Sequence, residues 1–296
     1  IYSDHEASAQ INYKLAESYY KSGQHYEPLK NTAAQWDVKQ AVELCQNSIE
    51  SFPSSYGARL CKNLLQMMLK PGLEITIPKI LEVQKKQVGL ASFRNINSLF
   101  FRIIKITPEQ EKELMKLKEQ SELMRAYLDL PIIREWSYDL PDKGDYQTHS
   151  AEFMIPELEA GLYILLASPS AEFLLENTPM AHTRFWASDI AFINREDEEG
   201  NNHFYVMSRS SGKALNKMEV KARTRDYDYR KRQYVVSDWE SFETDKEGHF
   251  QIPANLSKST KAFVLDFHNK DDRYISDNYF YHYQKRDIER KLRPKT

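Results

Sequence analysis

Asp266 and His268 are the pair best placed to do chemistry. They lie two apart in Asp266-Phe267-His268-Asn269-Lys270-Asp271-Asp272. On a strand, residues two apart share a face, so a carboxylate and an imidazole could hold one metal ion between them. Such a site needs further ligands and a supporting shell, and none stands nearby at metal spacing. The stretch therefore reads first as a strand running into a polar Asn/Asp turn. His149, His182, His203 and His249 fall on expected loops or strand edges, with no nucleophile at a motif position. There is no G-x-S-x-G elbow, glycine-rich phosphate loop or H-E-x-x-H, and nine glycines in 296 residues leave little for a nucleotide cradle. No catalytic residue, cofactor or metal is expected.

Three other features invite a functional reading. The run 221–234 interleaves Lys221, Arg223, Arg225, Arg230, Lys231 and Arg232 with Tyr227, Tyr229 and Tyr234, as nucleic-acid surfaces do. Asp226 and Asp228 interrupt it, so it reads as a long hairpin whose Tyr227, Tyr229, Arg230 and Tyr234 are candidate partner contacts. Asp245-Lys246-Glu247-Gly248 resembles half a calcium loop but lacks the spaced acidic ligands and terminal glutamate, which leaves a polar turn. Cys45 and Cys61 are the two cysteines. Each sits in an apolar helical stripe as a small hydrophobe would, although antiparallel helices could also bring them within bridging distance.

Composition narrows the class. A formal net charge of −2 argues against a dedicated nucleic-acid protein, and no apolar run is long enough to span a membrane. The polar start Ile1-Tyr2-Ser3-Asp4-His5 does not read as a leader, so a mature chain or trimmed piece is expected. At 296 residues with 41 % hydrophobic content, two or three cored units are the prior.

The elements fall into three parts. Residues 1–70 read as helices: Ile11, Leu15 and Tyr19 recur at one-turn spacing and Gly23 stops the run. A second helix carries Trp36, Val42, Cys45 and Ile49. A third follows a Ser54-Ser55 cap, with Tyr56, Leu60, Leu64 and Met67 on one face. Residues 71–169 alternate as strands at 73–77, 88–94, 99–106, 132–140 and 149–155, followed by a long apolar strand beginning after Gly161. A helical insertion over about 107–129 opens with Thr107-Pro108-Glu109-Gln110, a cap with proline at the first helical position and a capping-box glutamine. Its stripe of Leu114, Leu117, Ser121, Met124 and Leu128 is expected to pack at home, with Leu114, Leu117 and Met124 as candidate partner contacts. Residues 180–285 hold seven candidate strands, at 186–193, 203–207, 219–225, 233–237, 250–252, 261–267 and 274–283. A boundary is expected within 169–183, and 286–296 reads as a linker.

Several stretches carry a resemblance. Leu15-Ala16-Glu17-Ser18-Tyr19-Tyr20-Lys21-Ser22-Gly23 is similar to a tetratricopeptide-type helix, although no second copy follows at a fixed period. Ser211-Gly212-Lys213-Ala214-Leu215, the alternating Met218-Glu219-Val220-Lys221-Ala222 and Thr244-Asp245-Lys246-Glu247-Gly248-His249-Phe250-Gln251-Ile252-Pro253 resemble a macroglobulin-type domain of the bacterial alpha-2-macroglobulin family. Phe93-Arg94-Asn95-Ile96-Asn97-Ser98-Leu99-Phe100 resembles a strand pair of Bacteroidetes-type homologues. Ile155-Pro156-Glu157-Leu158-Glu159-Ala160-Gly161-Leu162-Tyr163 resembles the ending of the same fold, where the glycine bends the chain into the last long strand and the tyrosine ties its hydroxyl across the corner. The resemblance covers most of 71–285.

The fold expected is α+β and multidomain: a helical hairpin unit, then two antiparallel β-sandwiches, the first with the helical insertion. The resemblance implies a non-catalytic scaffold portion of an exported, envelope-located protease trap. Its partners would be neighbouring domains of the same chain and, through the whole protein, proteases. The family's Cys-x-x-Gln thioester is absent: Gln46-Asn47-Ser48 follows Cys45, and Lys62-Asn63-Leu64 follows Cys61. No bait segment can be placed either; where the whole protein has these parts they are expected beyond Thr296, and a thioester-lacking relative is equally compatible. A surface adhesion or carbohydrate-binding sandwich protein is the alternative.

Overall fold

The computed structural model describes residues 5–283 apart from 142, 177, 229, 231 and 258, and of 225–228, 233 and 234 it describes the backbone alone. The expected linker 286–296 and Tyr229 lie outside the described residues.

Helices α1 (Ala7–Gly23), α2 (Asp37–Ser51) and α3 (Tyr56–Leu69) each pack on the other two. Their shared core is Ala16, Val38, Ala41, Val42, Cys45, Cys61, Leu64 and Met68. Small residues dominate because the helices approach closely. A Cβ on Gly57 would lie 2.3 Å from the backbone carbon of Ala9, so α3 meets α1 backbone to backbone. The expected α1 stripe is therefore on the wrong face: Ile11 is 63 % and Leu15 45 % exposed, while Ala9 and Ala16 are buried. Likewise α3 buries Cys61, Leu64 and Met68 and leaves Tyr56 and Met67 outside. Gly23 is the last α1 residue rather than a left-handed cap, and a Cβ there would meet Val38 Cγ2 at 2.5 Å. The Ser55 cap forms as expected, its hydroxyl accepting from the Ala58 N–H at 3.1 Å.

The first sandwich sets a sheet of β1 (Gly72–Thr76), β3 (Gln87–Arg94) and β6 (His149–Ile155) against five strands in the order β2-β8-β7-β4-β5. Those five are β2 (Ile80–Leu81), β4 (Ser98–Ile106), β5 (Ile132–Asp139), β7 (Gly161–Ser168) and β8 (Ala181–Ala187). All pairings are antiparallel except the short β2–β8 pair. Strands β4 and β7 are apolar on both faces because both faces are covered. Leu99, Phe101, Ile103, Tyr163, Leu165 and Ala167 face the facing sheet. Ile104, Ile106, Leu162, Ile164 and Leu166 join a second core with Met124, Tyr127 and Trp186 and with the second sandwich. Each large side chain buried there contributes about 1.5–3 kcal/mol.

The insertion is two helices, α4 (Pro108–Leu114) and α5 (Gln120–Leu128), not one. The Thr107/Gln110 capping box forms. The break at 115–119 moves Leu117 off the expected stripe, leaving it 36 % exposed, whereas Met124 is buried and Leu114 packs on the second core.

The second sandwich pairs β9 (Ile190–Glu196), β10 (Asn202–Ser208) and β13 (His249–Ile252), with β10 central. Opposite lie β12 (Gln233–Glu243), β11 (Glu219–Asp228), β14 (Lys261–His268) and β15 (Arg273–Ile275) in that order, with β16 (Phe280–His282) also on β14. The expected strand 186–193 is a break between β8 and β9, and the expected strand 274–283 is likewise two strands. Because β8 pairs with β7 from Gly161↔Ala187 to Ala167↔Ala181, 181–187 belongs to the first sandwich. The sheets part at Ser188 and Asp189, which corrects the boundary expected within 169–183. That stretch instead packs home through Phe173, 1 % exposed beneath the Arg102 guanidinium.

The corner before β7 takes the expected form. Tyr163 donates its hydroxyl to the Glu159 carbonyl at 2.8 Å, and burial pushes that phenol up to about 12. Gly161 has φ +158°, and a Cβ there would meet Lys105 Cε at 2.6 Å and Tyr163 Cε2 at 3.3 Å. Gly161→Val should cost about 1–3 kcal/mol. Gly72→Ala, where a Cβ would meet only Arg94 Cβ at 3.9 Å, should change stability by roughly 0.5 kcal/mol or less. Equal melting midpoints for the two variants would refute this account of the corner.

Candidate functional site

The polar side chains that the fold concentrates lie at the seams between its units. At the first seam, Gln147 Nε2 donates to the carbonyls of Gly23 at 3.1 Å, Gln35 at 3.3 Å and Ala34 at 3.4 Å. It thereby satisfies the end of α1 and the approach to α2 with one side chain from the loop before β6. Asp145, 1 % exposed, accepts from Gln35 Nε2 at 3.0 Å and from the Gln147 N–H at 3.0 Å, and it meets His149 Nε2 at 2.8 Å. Burial works against the charge, but these hydrogen bonds, His149 first, hold the carboxyl below the usual carboxylate range. Asn95, in a left-handed conformation at φ +54°, donates to Met68 O at 2.9 Å and so holds the end of α3.

At the second seam the insertion clamps both sandwiches. Arg184 on β8 pairs with Glu111 on α4 and with Asp277 of the second sandwich, and its guanidinium lies over the Trp186 ring. Arg273 on β15 reaches Glu109 at 3.6 Å and grips Asp266 through Nε at 3.0 Å and Nη2 at 2.8 Å. Arg223 Nη1 holds the same carboxylate at 3.0 Å. Between the sandwiches, Asp272 Oδ2 accepts from Ser188 Oγ at 3.0 Å and from the Asp189 N–H at 2.8 Å. Burial raises the Asp272 carboxyl, which lines a cleft of about 630 Å³ with Val83, Lys105, Glu159 and Asp189.

The candidate residues find definite places. Asp266 and His268 do share a face of β14, but Asp266 is 3 % exposed between two arginines and His268 is exposed. The carboxylate is a structural counter-ion, and no group of three or more metal-binding side chains occurs among the described residues. Leu114 and Met124 are spent on the internal core, which leaves Leu117 presented. Tyr227 and Tyr234 pair across the β11–β12 hairpin, and Arg230 at its tip is exposed. Cys45 and Cys61 are free, buried neighbours in the helical core. His182 is half-buried beside Tyr127, and that burial lowers its proton affinity. The seam residues Asp145, Gln147 and Arg184 escaped the sequence reading because each binds partners far off in the chain, and no local pattern marks them. No helix among the described residues is long and apolar enough to cross a membrane.

No family model and no curated protein sequence matches the chain. Among solved structures it is similar to native alpha-2-macroglobulin from Escherichia coli spanning domains NIE-MG1, at 15 % identity over 71 % of this chain and 97 % of that one, with a TM-score of 0.46. For the same protein spanning MG0-NIE-MG1, the values are 15 % identity, 70 % and 64 % coverage, and a TM-score of 0.47. Against the native full conformation by electron microscopy they are 14 % identity, 70 % of this chain but 12 % of that one, and a TM-score of 0.40.

Proposed function

We propose that this chain is a non-catalytic scaffold portion of an alpha-2-macroglobulin-type protein, exported to the bacterial envelope, whose protease-trapping elements lie elsewhere. The observation that carries the reading is the clamp of Arg184, Glu111 and Asp277, seated beside the Gly161–Tyr163 corner strand. It spends the insertion's charges and apolar stripe on holding two sandwiches together, as a rigid spacer requires. The motifs at 155–163, 211–215 and 244–253 add the family resemblance. Asp145, Asp266 and Arg184 are satisfied by seam partners, whereas Asp272 Oδ1 and Trp186 Nε1 are buried without one; the paired charges favour shape and rigidity over a reacting group.

The purified chain, incubated with several unrelated proteases, should protect neither a small nor a large substrate, and it should turn over no ester, phosphoester or glycoside. Stoichiometric protection of the large substrate would place an inhibitory element inside this piece and overturn the reading. Turnover that survives repurification would return it to the enzymes.

A further inference from the structure

We propose that His203 and His249 form a proton-bridged pair that locks the outer end of the second sandwich while one proton sits between the rings, and that parts when a second proton arrives. His203 lies on β10 and His249 on β13. His203 Nδ1 and His249 Nε2 are 3.0 Å apart, the ring centroids are 5.3 Å apart and the rings are tilted by only 21°. The centroid distance exceeds the nitrogen distance by the two ring radii, so the nitrogens point straight at each other.

The outer nitrogens each face a carboxylate, His203 Nε2 at hydrogen-bond distance and His249 Nδ1 further off. His203 Nε2 is 3.0 Å from Asp197 Oδ2, and His249 Nδ1 is 3.5 Å from Asp245 Oδ2. Asp197 also accepts from Asn201 Nδ2 at 2.8 Å and from the Asn201 and Glu199 N–H groups. Asp245 accepts from the His249 and Glu247 N–H groups at 2.8 and 3.0 Å. Both carboxyls are held below their ordinary range, Asp197 chiefly by the His203 hydrogen bond and Asp245 chiefly by the His249 backbone N–H.

Two neutral rings already place one proton between the facing nitrogens, 3.0 Å apart, when His203 gives its Nε2–H to Asp197 and His249 gives its Nε2–H to His203 Nδ1. One added proton, on His249 Nδ1 toward Asp245, completes an Asp–His–His–Asp chain with a single positive charge between two anions. A second would set two N–H groups head to head and drive the rings apart. The end-on geometry aims the two ring nitrogens at each other and not at a common off-axis point about 2.0–2.1 Å from both, where a metal ion would sit. The other charged and titratable groups around the pair are Arg195, opposite His203 on β9, Glu199 in the turn before β10, Tyr205 beneath His249, and Lys246 and Glu247 in the turn before β13. The lock therefore ties the 197–201 turn to the 245–249 turn, beside the outward-facing Ile193, Tyr205 and Met207.

Long-range proton–nitrogen NMR of the ¹⁵N-labelled full chain tests this on the unmodified protein. At neutral pH the two facing nitrogens should share one proton, each with a shift between the protonated and bare values. Acidification should protonate both in a separate second step and move the backbone signals of 197–201 and 245–249 together. In His249→Gln, His203 should titrate in one step. Two bare facing nitrogens at neutral pH, or two rings that titrate independently with His203 unaffected by His249→Gln, would overturn the proposal. Convergence of both rings on added zinc would overturn it as well.

Discussion

Asp266→Ala should destabilise the second sandwich by about 2–4 kcal/mol, the largest loss expected from any single polar side chain in that half. The carboxylate is 3 % exposed and takes three guanidinium contacts, from Arg273 Nε, Arg273 Nη2 and Arg223 Nη1, between 2.8 and 3.0 Å. Removing it leaves two cations side by side over the outer face of β14, with Arg223 still paired to Asp238 at 3.0 Å and Arg273 only to Glu109 at 3.6 Å. The figure is set below that for a fully buried pair because the Arg223 and Arg273 side chains are 24 % and 29 % exposed, and water can take up part of their charge. Asp266→Asn keeps an acceptor and should lose about half as much. His268→Ala, on the same face but exposed, should be neutral within roughly 0.5 kcal/mol. Chemical denaturation of the three variants separates the counter-ion role from the metal role that the Asp-x-His spacing suggests. If Asp266 and His268 acted together, the two alanine variants would behave alike, and divalent metal would stabilise only the parent.

The same position shows what the sequence makes legible. The alternation of Phe263, Leu265 and Phe267 marks β14 and places Asp266 and His268 on the opposite face, and that much holds. What fills the face comes from β11 and β15, whose arginines are distant in sequence or across a turn, and spacing carries no trace of them. Capping was legible because Ser55, Thr107 and Gln110 act within one turn of themselves. Helix faces were misread where close packing selects small residues. In α1, Ala9 and Ala16 turn inward while Ile11 and Leu15 turn out, against any hydrophobicity count. The break between β8 and β9 was missed because Trp186 and Ile190 both join the same core, so apolar character runs on through the point where the chain changes sandwich. The insertion stripe packs at home through Leu114 and Met124, as expected, whereas the break at 115–119 takes Leu117 off it.

Asp145→Ala is the complementary test at the first seam, and it carries a pH signature. Three donors, Gln35 Nε2, the Gln147 N–H and His149 Nε2, converge on a side chain with 2 % exposure, so the substitution strands all three in a buried place. The cost should be about 2–4 kcal/mol, expressed first as loosening of the three-helix unit from the first sandwich. Because the folded carboxyl is held below its ordinary value, the stabilisation is fully present above the unfolded-state value of about 3.9 and disappears as pH falls through the lower folded value. The gap between parent and variant should therefore stay constant from neutral pH to about 5 and close only in stronger acid. Hydrogen exchange at the ends of α1 and α3, followed against pH, reads this directly. Residues near Gly23 and Met68 should exchange faster in the variant at pH 7, and the parent should approach the variant's rates only below about pH 4. If the gap instead closed between pH 6 and 7, the seam would be governed by an imidazole and not by the Asp145 carboxylate. If no gap appeared at pH 7, Gln147 and Asn95 alone would suffice to hold the helices.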